Sequence, residues 1–195
     1  MNEIAKESTV RINARLQSLT LIALFAALIA ASSLFAAFVY PIPFTLQTLF
    51  VILAALLLTP AQATGAMALY VGIGAIGLPV FSGGRGGLSV IVGPTGGYLF
   101  GFIVAACVGS YLMGRLRKTQ VNAFITRGIV ALLVIALVDT FGVAWMMASA
   151  GMSFNAAVVA GVVPFIVPDV LKGIVAVVLA SALCRYMPMS GGTGK

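Results

Sequence analysis

The sequence is poor in the side chains on which most enzymes rely. It has no histidine, two cysteines and only four acidic residues among 195. No cysteine pair has zinc-site spacing, no phosphate-binding P-loop is present, and no nucleophile stands beside a base. The cysteines, Cys107 and Cys184, lie inside apolar runs, where a small side chain packs without redox chemistry. We therefore expect no catalytic residue, no metal and no cofactor.

Charge is also scarce. Charged residues make up 8% of the chain and hydrophobic residues 62%, with a mean hydropathy of +1.17. This composition excludes an ordinary soluble domain and predicts an all-α integral membrane protein. Residues 1–195 have room for a single membrane domain of about six spans of roughly 20 residues. The apolar runs that we interpret as transmembrane helices are residues 16–40, 45–59, 62–80, 95–114, 125–149 and 162–186, and the glycine-rich tail 187–195 is expected to be disordered.

The few cations predict the topology. The net charge is +7, but the basic residues lie at the ends of apolar runs and are not interleaved with aromatics, so nucleic acid is not an expected partner. If the short second run crosses the membrane, the basic N-terminus and the basic cluster 115–118 lie on one side. We therefore predict six transmembrane helices with both termini cytoplasmic, in a multi-pass protein of the cell membrane surrounded by lipid.

Asp169 and Lys172 stand out against this apolar background, one helical turn apart near the start of the last run. A carboxylate and an ammonium within hydrocarbon are both costly, so the pair indicates a ligand site, an ion path or a lock between helices. Arg85 lies in a loop on the same predicted outer side. Two cations and one anion suit a small solute that carries a carboxylate.

The two predicted outer loops have unusual compositions. The first, residues 40–47, has two prolines that favour extended backbone, and it is apolar enough to fold over a cavity as a lid. The second, residues 81–98, is glycine-rich, so its backbone can approach a ligand closely. Gln47 ends the first loop and Tyr98 ends the second. For Gln47 the alternative is a helix cap or an interhelical hydrogen bond, and for Tyr98 it is a place in the interfacial aromatic belt.

Asp139 lies near the middle of the fifth run. A carboxyl group at this depth is usually functional, but without a cation at matching depth it is equally explained as a neutral group hydrogen-bonded to a neighbouring helix.

Small residues form two periodic stripes. Ala23, Ala27 and Ala31 lie on one face of the first predicted helix. Glycines form the second stripe: Gly93, Gly97 and Gly101 recur every four residues and lead into the fourth predicted helix, residues 95–114. Such stripes let helices pack closely in lipid. The alanine stripe is explained either by internal packing or by docking of a separate membrane subunit.

Four sequence strings, in order along the chain, resemble the BioY family, the biotin-capturing S components of energy-coupling factor (ECF) transporters. The strings are Pro43-Phe44-Thr45-Leu46-Gln47-Thr48; Gly77-Leu78-Pro79-Val80-Phe81 with Gly83-Gly84-Arg85-Gly86-Gly87; Gly93-Pro94-Thr95-Gly96-Gly97-Tyr98; and Pro164-Phe165 with Pro168-Asp169-Val170-Leu171-Lys172. The resemblance implies an S-component-type bundle of six helices in a prokaryotic membrane. It also implies biotin as ligand, bound on the outer side beneath the first loop.

The resemblance further implies partners and site residues. The partners are a transmembrane coupling subunit, with Ala23, Ala27 and Ala31 as its docking face, and ATPase subunits that hydrolyse ATP in place of this chain. Asp169 would accept a hydrogen bond from the ureido group of biotin, while Lys172 or Arg85 would meet its carboxylate. The other residues expected to contact the ligand are Gln47, Tyr98, Phe44, Gly84, Gly86 and Thr95. Asp139 departs from the tyrosine or apolar residue expected at its place, which favours a role in packing.

Other functions remain as alternatives. An S component for another vitamin would share the scaffold and differ in its loops, and only the loop strings argue against it. A purely structural membrane subunit would not need charged residues at the outer mouth. An intramembrane enzyme acting on lipid phosphates would be expected to show a cluster of acidic residues for a metal, which the sequence lacks.

Overall fold

The computed structural model describes the backbone of residues 2–34, 37–39, 42–117 and 120–186, and the side chains of 12–34, 45–117 and 120–184. Within these ranges the chain forms eight helices and one two-stranded hairpin. In chain order the elements are α1 (Asn2–Ser33), β1 (Ala37–Val39), β2 (Ile42–Phe44), α2 (Gln47–Leu57), α3 (Pro60–Ala75), α4 (Leu88–Val92), α5 (Gly96–Leu116), α6 (Ala123–Ala150), α7 (Phe154–Gly161) and α8 (Ile166–Tyr186). The predicted tail 187–195 lies outside the described residues.

The predicted C-terminal limit of the first transmembrane run, residue 40, is wrong. Helix α1 stops at Ser33. Ala37–Val39, which we assigned to its last turns, form strand β1, which pairs antiparallel with β2. The chain is therefore helical apart from one hairpin. The extended backbone that the prolines predicted in residues 40–47 is confirmed for β2, where Ile42 pairs with Val39.

Among the residues that the structure describes, four helices are long and apolar enough to cross a membrane: Ile12–Ser33, Gly96–Leu116, Ala123–Ala150 and Ile166–Cys184. Helix α2 has 11 residues and α3 has 16, which correspond to lengths of about 17 and 24 Å. Both are shorter than the roughly 30 Å of a hydrocarbon core. Helix α3 also ends at Ala75, five residues before the predicted limit.

Local sequence accounts for where several helices begin and end. Thr59 caps α3 and forms a capping box with Gln62, and Pro60 occupies the first turn. Asn122 and Ser153 cap α6 and α7 by accepting hydrogen bonds from backbone N–H groups of the first turn. Gly151 ends α6 in the left-handed conformation, with φ of 63°.

Short helix α2 lies at the centre of the bundle. It packs against α1, α3, α5, α6 and α8, and eight of its 11 residues are buried, including all six from Val51 to Leu56. A helix that is apolar on all sides buries every side, which is why this short segment occupies the core.

Helices α5 and α6 form the most extensive helix pair. At Gly97 an added Cβ would lie 2.2 Å from Trp145 Cβ, and at Gly101 it would lie 3.1 Å from Phe141 Cβ. Two of the three glycines in the predicted stripe therefore let α5 approach α6 closely. Gly93 instead lies before α5, close to the Ser89 carbonyl.

Candidate functional site

The charged pair of α8 lies on the inner face of that helix. The buried residues of α8 follow a helical period: Asp169, Lys172, Gly173, Ala176, Val177 and Ala180. The apolar residues between them, such as Val170, Leu171 and Ile174, are exposed. Because i, i+3, i+4 and i+7 share one face of a helix, both charges point into the bundle and lipid contacts only apolar side chains.

Lys172 Nζ lies 2.8 Å from Asp169 Oδ1, and their side chains are 7% and 9% exposed. Both residues belong to one helix, so this contact by itself does not lock two helices together. Desolvation of two charges offsets much of their attraction unless further polar groups complete the site. The pair is therefore better explained as part of a polar site than as a source of stability.

The charged pair lines a central cavity that is open at one side and has about 660 Å³ of empty space between its walls, its open mouth included. The cavity lies between α2, the glycine-rich loop, α5, α6 and the turn from α7 to α8. Its polar wall consists of Thr45, Gln47, Thr48, Ser82, Arg85, Thr95, Tyr98, Asp139, Asp169 and Lys172. Its apolar wall consists of Phe81, Val90, Leu99, Phe102, Val138 and Phe165, with Gly161 beside them.

Most of the predicted site residues meet in this cavity. Six of the nine line it: Asp169, Lys172, Arg85, Gln47, Tyr98 and Thr95. They come from four separate parts of the chain, so their meeting is a property of the fold. Phe44 lies in strand β2, and its side chain is outside the described residues.

Gly84 and Gly86, which we predicted to contact the ligand, are not among the residues that line the cavity. Phe81 and Arg85 exchange two backbone hydrogen bonds of 2.8 and 3.2 Å, and this tight turn needs positive φ at Gly83 and Gly84, 74° and 71°. A Cβ on Gly86 would lie 2.3 Å from the Leu78 carbonyl oxygen. Gly84 therefore shapes the loop that carries Arg85, and Gly86 packs against the chain itself, whereas a Cβ on Gly84 would have no described atom within 4 Å.

Arg85 is exposed at the mouth of the cavity. Its Nε donates a hydrogen bond to the Ser82 carbonyl at 3.1 Å. Backbone hydrogen bonds attach the loop to two helices: Gly83 N donates to Ser33 O of α1, and Gly87 N donates to Gly74 O of α3. A guanidinium held this way at a rim suits the carboxylate of a bound molecule.

Gln47 combines a structural contact with its place in the cavity wall. Its Nε2 donates to the Tyr70 hydroxyl, and its Oε1 accepts a hydrogen bond from Thr45 Oγ1 at 3.0 Å. Tyr70 is fully buried and meets Phe81 edge to face, with ring centroids 5.6 Å apart. The interhelical bond that we left open for Gln47 is therefore present, and it links α2 and α3 to the glycine-rich loop.

Tyr98 is positioned by α6 and by the last residue of α7. Its hydroxyl donates to the Gly161 carbonyl at 2.9 Å. Its ring lies against Gly142, where an added Cβ would be 2.3 Å from the ring carbons. Because Tyr98 packs inside the bundle and lines the cavity, it does not serve as an interfacial belt residue.

Sequence reasoning missed Thr45, Thr48 and Ser82 and left the role of Asp139 open. Asp139 lines the cavity, and it makes no hydrogen bond within the described part of the chain, so the expected bond to a neighbouring helix is absent. Ser82 Oγ is buried and has no hydrogen-bond partner among the residues that the structure describes. The sequence did contain signals for two of these residues: Ser82 lies in the same loop as Arg85, and Asp139 is a carboxyl group in the middle of an apolar run.

The alanine stripe of α1 faces outward. Ala23, Ala27 and Ala31 are exposed, whereas Ala26 is 4% exposed and belongs to the core. Internal packing therefore accounts for Ala26 and leaves the stripe itself uncovered.

No group of three potential metal ligands occurs among the residues that the structure describes.

Comparison with known proteins gives one consistent result. The sequence matches the BioY family over residues 5–189. A probable biotin transporter BioY of Pyrococcus horikoshii is 38% identical over 167 residues, which are 86% of this chain and 96% of that protein. A biotin transporter BioY of Thermotoga maritima is 38% identical over 162 residues, 82% of this chain and 91% of that protein.

A solved structure shares the architecture. The crystal structure of the S-component for biotin from an ECF-type ABC transporter superposes with a TM-score of 0.81 at 26% identity, covering 89% of this chain and 93% of that chain. The family match extends over almost the whole sequence, and the helices that carry the cavity have the fold of an S-component. The chain therefore belongs to the BioY family of multi-pass membrane proteins.

Proposed function

We propose that this protein is the biotin-binding S component of an ECF-type vitamin transporter. The observation that carries the proposal is the buried Asp169–Lys172 pair in the wall of a cavity that has both polar and apolar sides. Biotin matches this cavity chemically: its ureido ring has two N–H donors and one carbonyl, its thiophane ring and valeryl chain are apolar, and its tail is a carboxylate. Asp169 accepts from the ureido group, and Lys172 or Arg85 meets the carboxylate.

The proposal includes a topology and partners. The chain crosses the membrane six times, α2 and α3 included, with both termini cytoplasmic and the cavity mouth on the outer side. The inward delivery of biotin needs a transmembrane coupling subunit and ATPase subunits, since this chain has no nucleotide-binding motif. The exposed stripe of Ala23, Ala27 and Ala31 supports a docking face for the coupling subunit.

Binding of labelled biotin to the detergent-purified protein tests the function, with thiamine and riboflavin as competitors. We expect saturable binding that unlabelled biotin displaces and the other vitamins do not. Displacement by thiamine or riboflavin would indicate an S component for another vitamin, and absence of any binding would favour a structural subunit.

The role of the charged pair needs variants that separate ligand contact from stability. Removing one partner leaves a buried charge unpaired, which destabilises a protein by about 3–5 kcal/mol. The exchange variant Asp169→Lys with Lys172→Asp keeps a pair and reverses its direction. We expect it to fold and to lose biotin affinity by at least about a hundredfold, because each charged hydrogen bond contributes about 1.5–3 kcal/mol.

Asp169→Asn and Lys172→Met complete the series, and Arg115→Gln is the matched control. Arg115 is exposed and interacts with Tyr111, outside the cavity. A monodisperse size-exclusion profile establishes folding for each variant. Unchanged affinity in the exchange variant and in both single variants would remove the pair from the binding site.

A further inference from the structure

Asp139 is the charged residue of the cavity to which the proposed function gives no role. It lies about halfway along α6, in a stretch whose other side chains are apolar apart from Thr140. A carboxyl group at this depth is costly unless hydrogen bonds or water satisfy it. Within the described part of the chain it has no hydrogen-bond partner, and it is only partly buried because it faces the cavity. Its oxygens are therefore available to a molecule in the cavity.

The position of Asp139 relative to the mouth is given by its neighbours. Gly142 backs the Tyr98 ring, and Asp139 lies three residues, or about 4.5 Å, further from the α6–α7 end of the bundle. Arg85 is exposed at the mouth. The cavity thus has acceptors inside and a cation at its rim.

The cavity wall brings two carboxyl groups and two cationic side chains together. Asp139 and Asp169 carry two negative charges when ionised, and Lys172 and Arg85 carry two positive charges. Asp139, Asp169 and Lys172 all line this cavity. Two carboxylates and one ammonium therefore face the same inner space, while the second cation stays at the mouth.

This arrangement complements a cyclic urea. The two N–H groups of such a ring point to opposite sides, and its carbonyl lies between them. We propose that Asp139 is a ligand-contacting residue, which accepts a hydrogen bond from one N–H of the urea head of the ligand while Asp169 accepts from the other. This inference rests on the proposed function and deepens it: Lys172 then donates to the urea carbonyl, and the carboxylate tail extends toward Arg85.

Binding of biotin and of its two N-methyl isomers to variants of Asp139 tests the inference. We expect Asp139→Leu to bind biotin about 10- to 100-fold more weakly and Asp139→Asn about tenfold more weakly, as for loss of a charged hydrogen bond. One methyl isomer removes the donor that faces Asp139. Its affinity, low for the unmodified protein, should fall no further in Asp139→Leu, whereas the penalties for the other isomer should add.

Thr140→Val is the matched control. Thr140 is the next residue of α6, is exposed, and donates its hydroxyl to its own helix at the Ala136 carbonyl. We expect it to bind all three ligands as the unmodified protein does. Size-exclusion profiles establish folding, and Asp139→Asn keeps the shape of the side chain if the leucine variant fails to fold.

The outcomes separate the two proposals. If the unmodified protein binds biotin and Asp139→Asn and Asp139→Leu bind it within twofold as well, the role of Asp139 is wrong and the proposed function stands. Additive penalties for both methyl isomers would equally overturn the contact. If the unmodified protein ignores biotin, both proposals fall together.

Discussion

At the scale of single residues, the cavity is marked by polar atoms that the protein itself leaves unsatisfied. Ser82 Oγ is buried without a partner, although a buried unpaired hydroxyl costs about 1–3 kcal/mol. Gln47 is the opposite case, since both ends of its amide are already bonded to Tyr70 and Thr45. We infer that Ser82 is held for a ligand atom or a bound water, while Gln47 shapes the wall.

Ser82→Ala tests this difference. Removal of an unsatisfied hydroxyl should leave the thermal midpoint of the ligand-free protein unchanged or slightly higher. Biotin affinity should fall about five- to tenfold, because one hydrogen bond to the ligand contributes about 1 kcal/mol. Both quantities are measured on the purified protein, by thermal unfolding and by equilibrium binding.

Ser149→Ala is the control for Ser82. Ser149 is exposed and donates to the Trp145 carbonyl of its own helix, away from the cavity. A Ser82→Ala protein that unfolds at a lower temperature and binds biotin normally would show that the hydroxyl supports the fold and not the ligand.

At the scale of elements, the cavity depends on how closely α5 and α6 approach each other. Helix α5 contributes Tyr98, Leu99 and Phe102 to its wall, and α6 contributes Val138 and Asp139. The approach is set at Gly97, where even a methyl group would overlap Trp145 and the Phe141 carbonyl. Separation of the two helices would move both walls of the binding site.

Gly97→Ala should therefore destabilise the protein and weaken its binding. Overpacking costs about 1–3 kcal/mol, which outweighs the gain of about 0.5–1 kcal/mol from replacing a helical glycine by alanine. We expect a lower thermal midpoint together with weaker biotin binding.

Gly114→Ala is the matched control on the same helix, because nothing lies within 4 Å of its added Cβ. It should keep or raise the thermal midpoint and leave binding unchanged. If the two variants had the same thermal midpoint and the same biotin affinity, the close α5–α6 contact at Gly97 would not determine stability or binding.

At the scale of the whole molecule, the outer face of α1 differs from that of α8 because it carries a stripe of small residues. The exposed face of α8 presents large apolar residues such as Val170, Leu171 and Ile174, as a surface against lipid does. The exposed stripe of α1 instead presents small Ala23 and Ala27. Small side chains allow another helix to approach closely, which lipid contact does not require.

Ala27→Trp should separate binding from transport. In the isolated protein the indole points outward, so the biotin affinity should equal that of the unmodified protein. Assembly with the coupling subunit, measured by co-purification, and biotin uptake by cells should both be lost, because the indole prevents close helix approach.

Leu132→Trp is the control for α1, since Leu132 is 59% exposed on α6. It should assemble and transport normally. Normal co-purification of Ala27→Trp would place the docking face elsewhere on the molecule.

The long apolar helices and the inward charges were predictable from sequence because their signals are local. Helices α5, α6 and α8 agree with the predicted runs within a few residues at most ends, and the period of Asp169 and Lys172 on α8 predicted a shared face. The hydropathy pattern gives the length of a membrane helix, and the helical period gives the face of the helix on which its polar side chains lie.

Other features could not be read locally. The end of α1 at Ser33 and the short helices α4 and α7 lie inside runs or connections that remain apolar, so no change of composition marks them. Gly84 and Gly86 were expected to contact ligand because a flexible loop and a binding loop have the same composition. Only the hydrogen bonds between Phe81 and Arg85 distinguish the two cases.

The sequence by itself determined a membrane protein with scarce, costly charges and a family relationship carried by four ordered strings. It also determined which face of α8 holds Asp169 and Lys172, because that follows from spacing along one helix. The tertiary structure alone decided that Arg85, Tyr98, Ser82 and Asp139 join them around one cavity. These residues come from four separate parts of the chain, and only the packing of α2, α5, α6 and α8 brings them within reach of a single ligand.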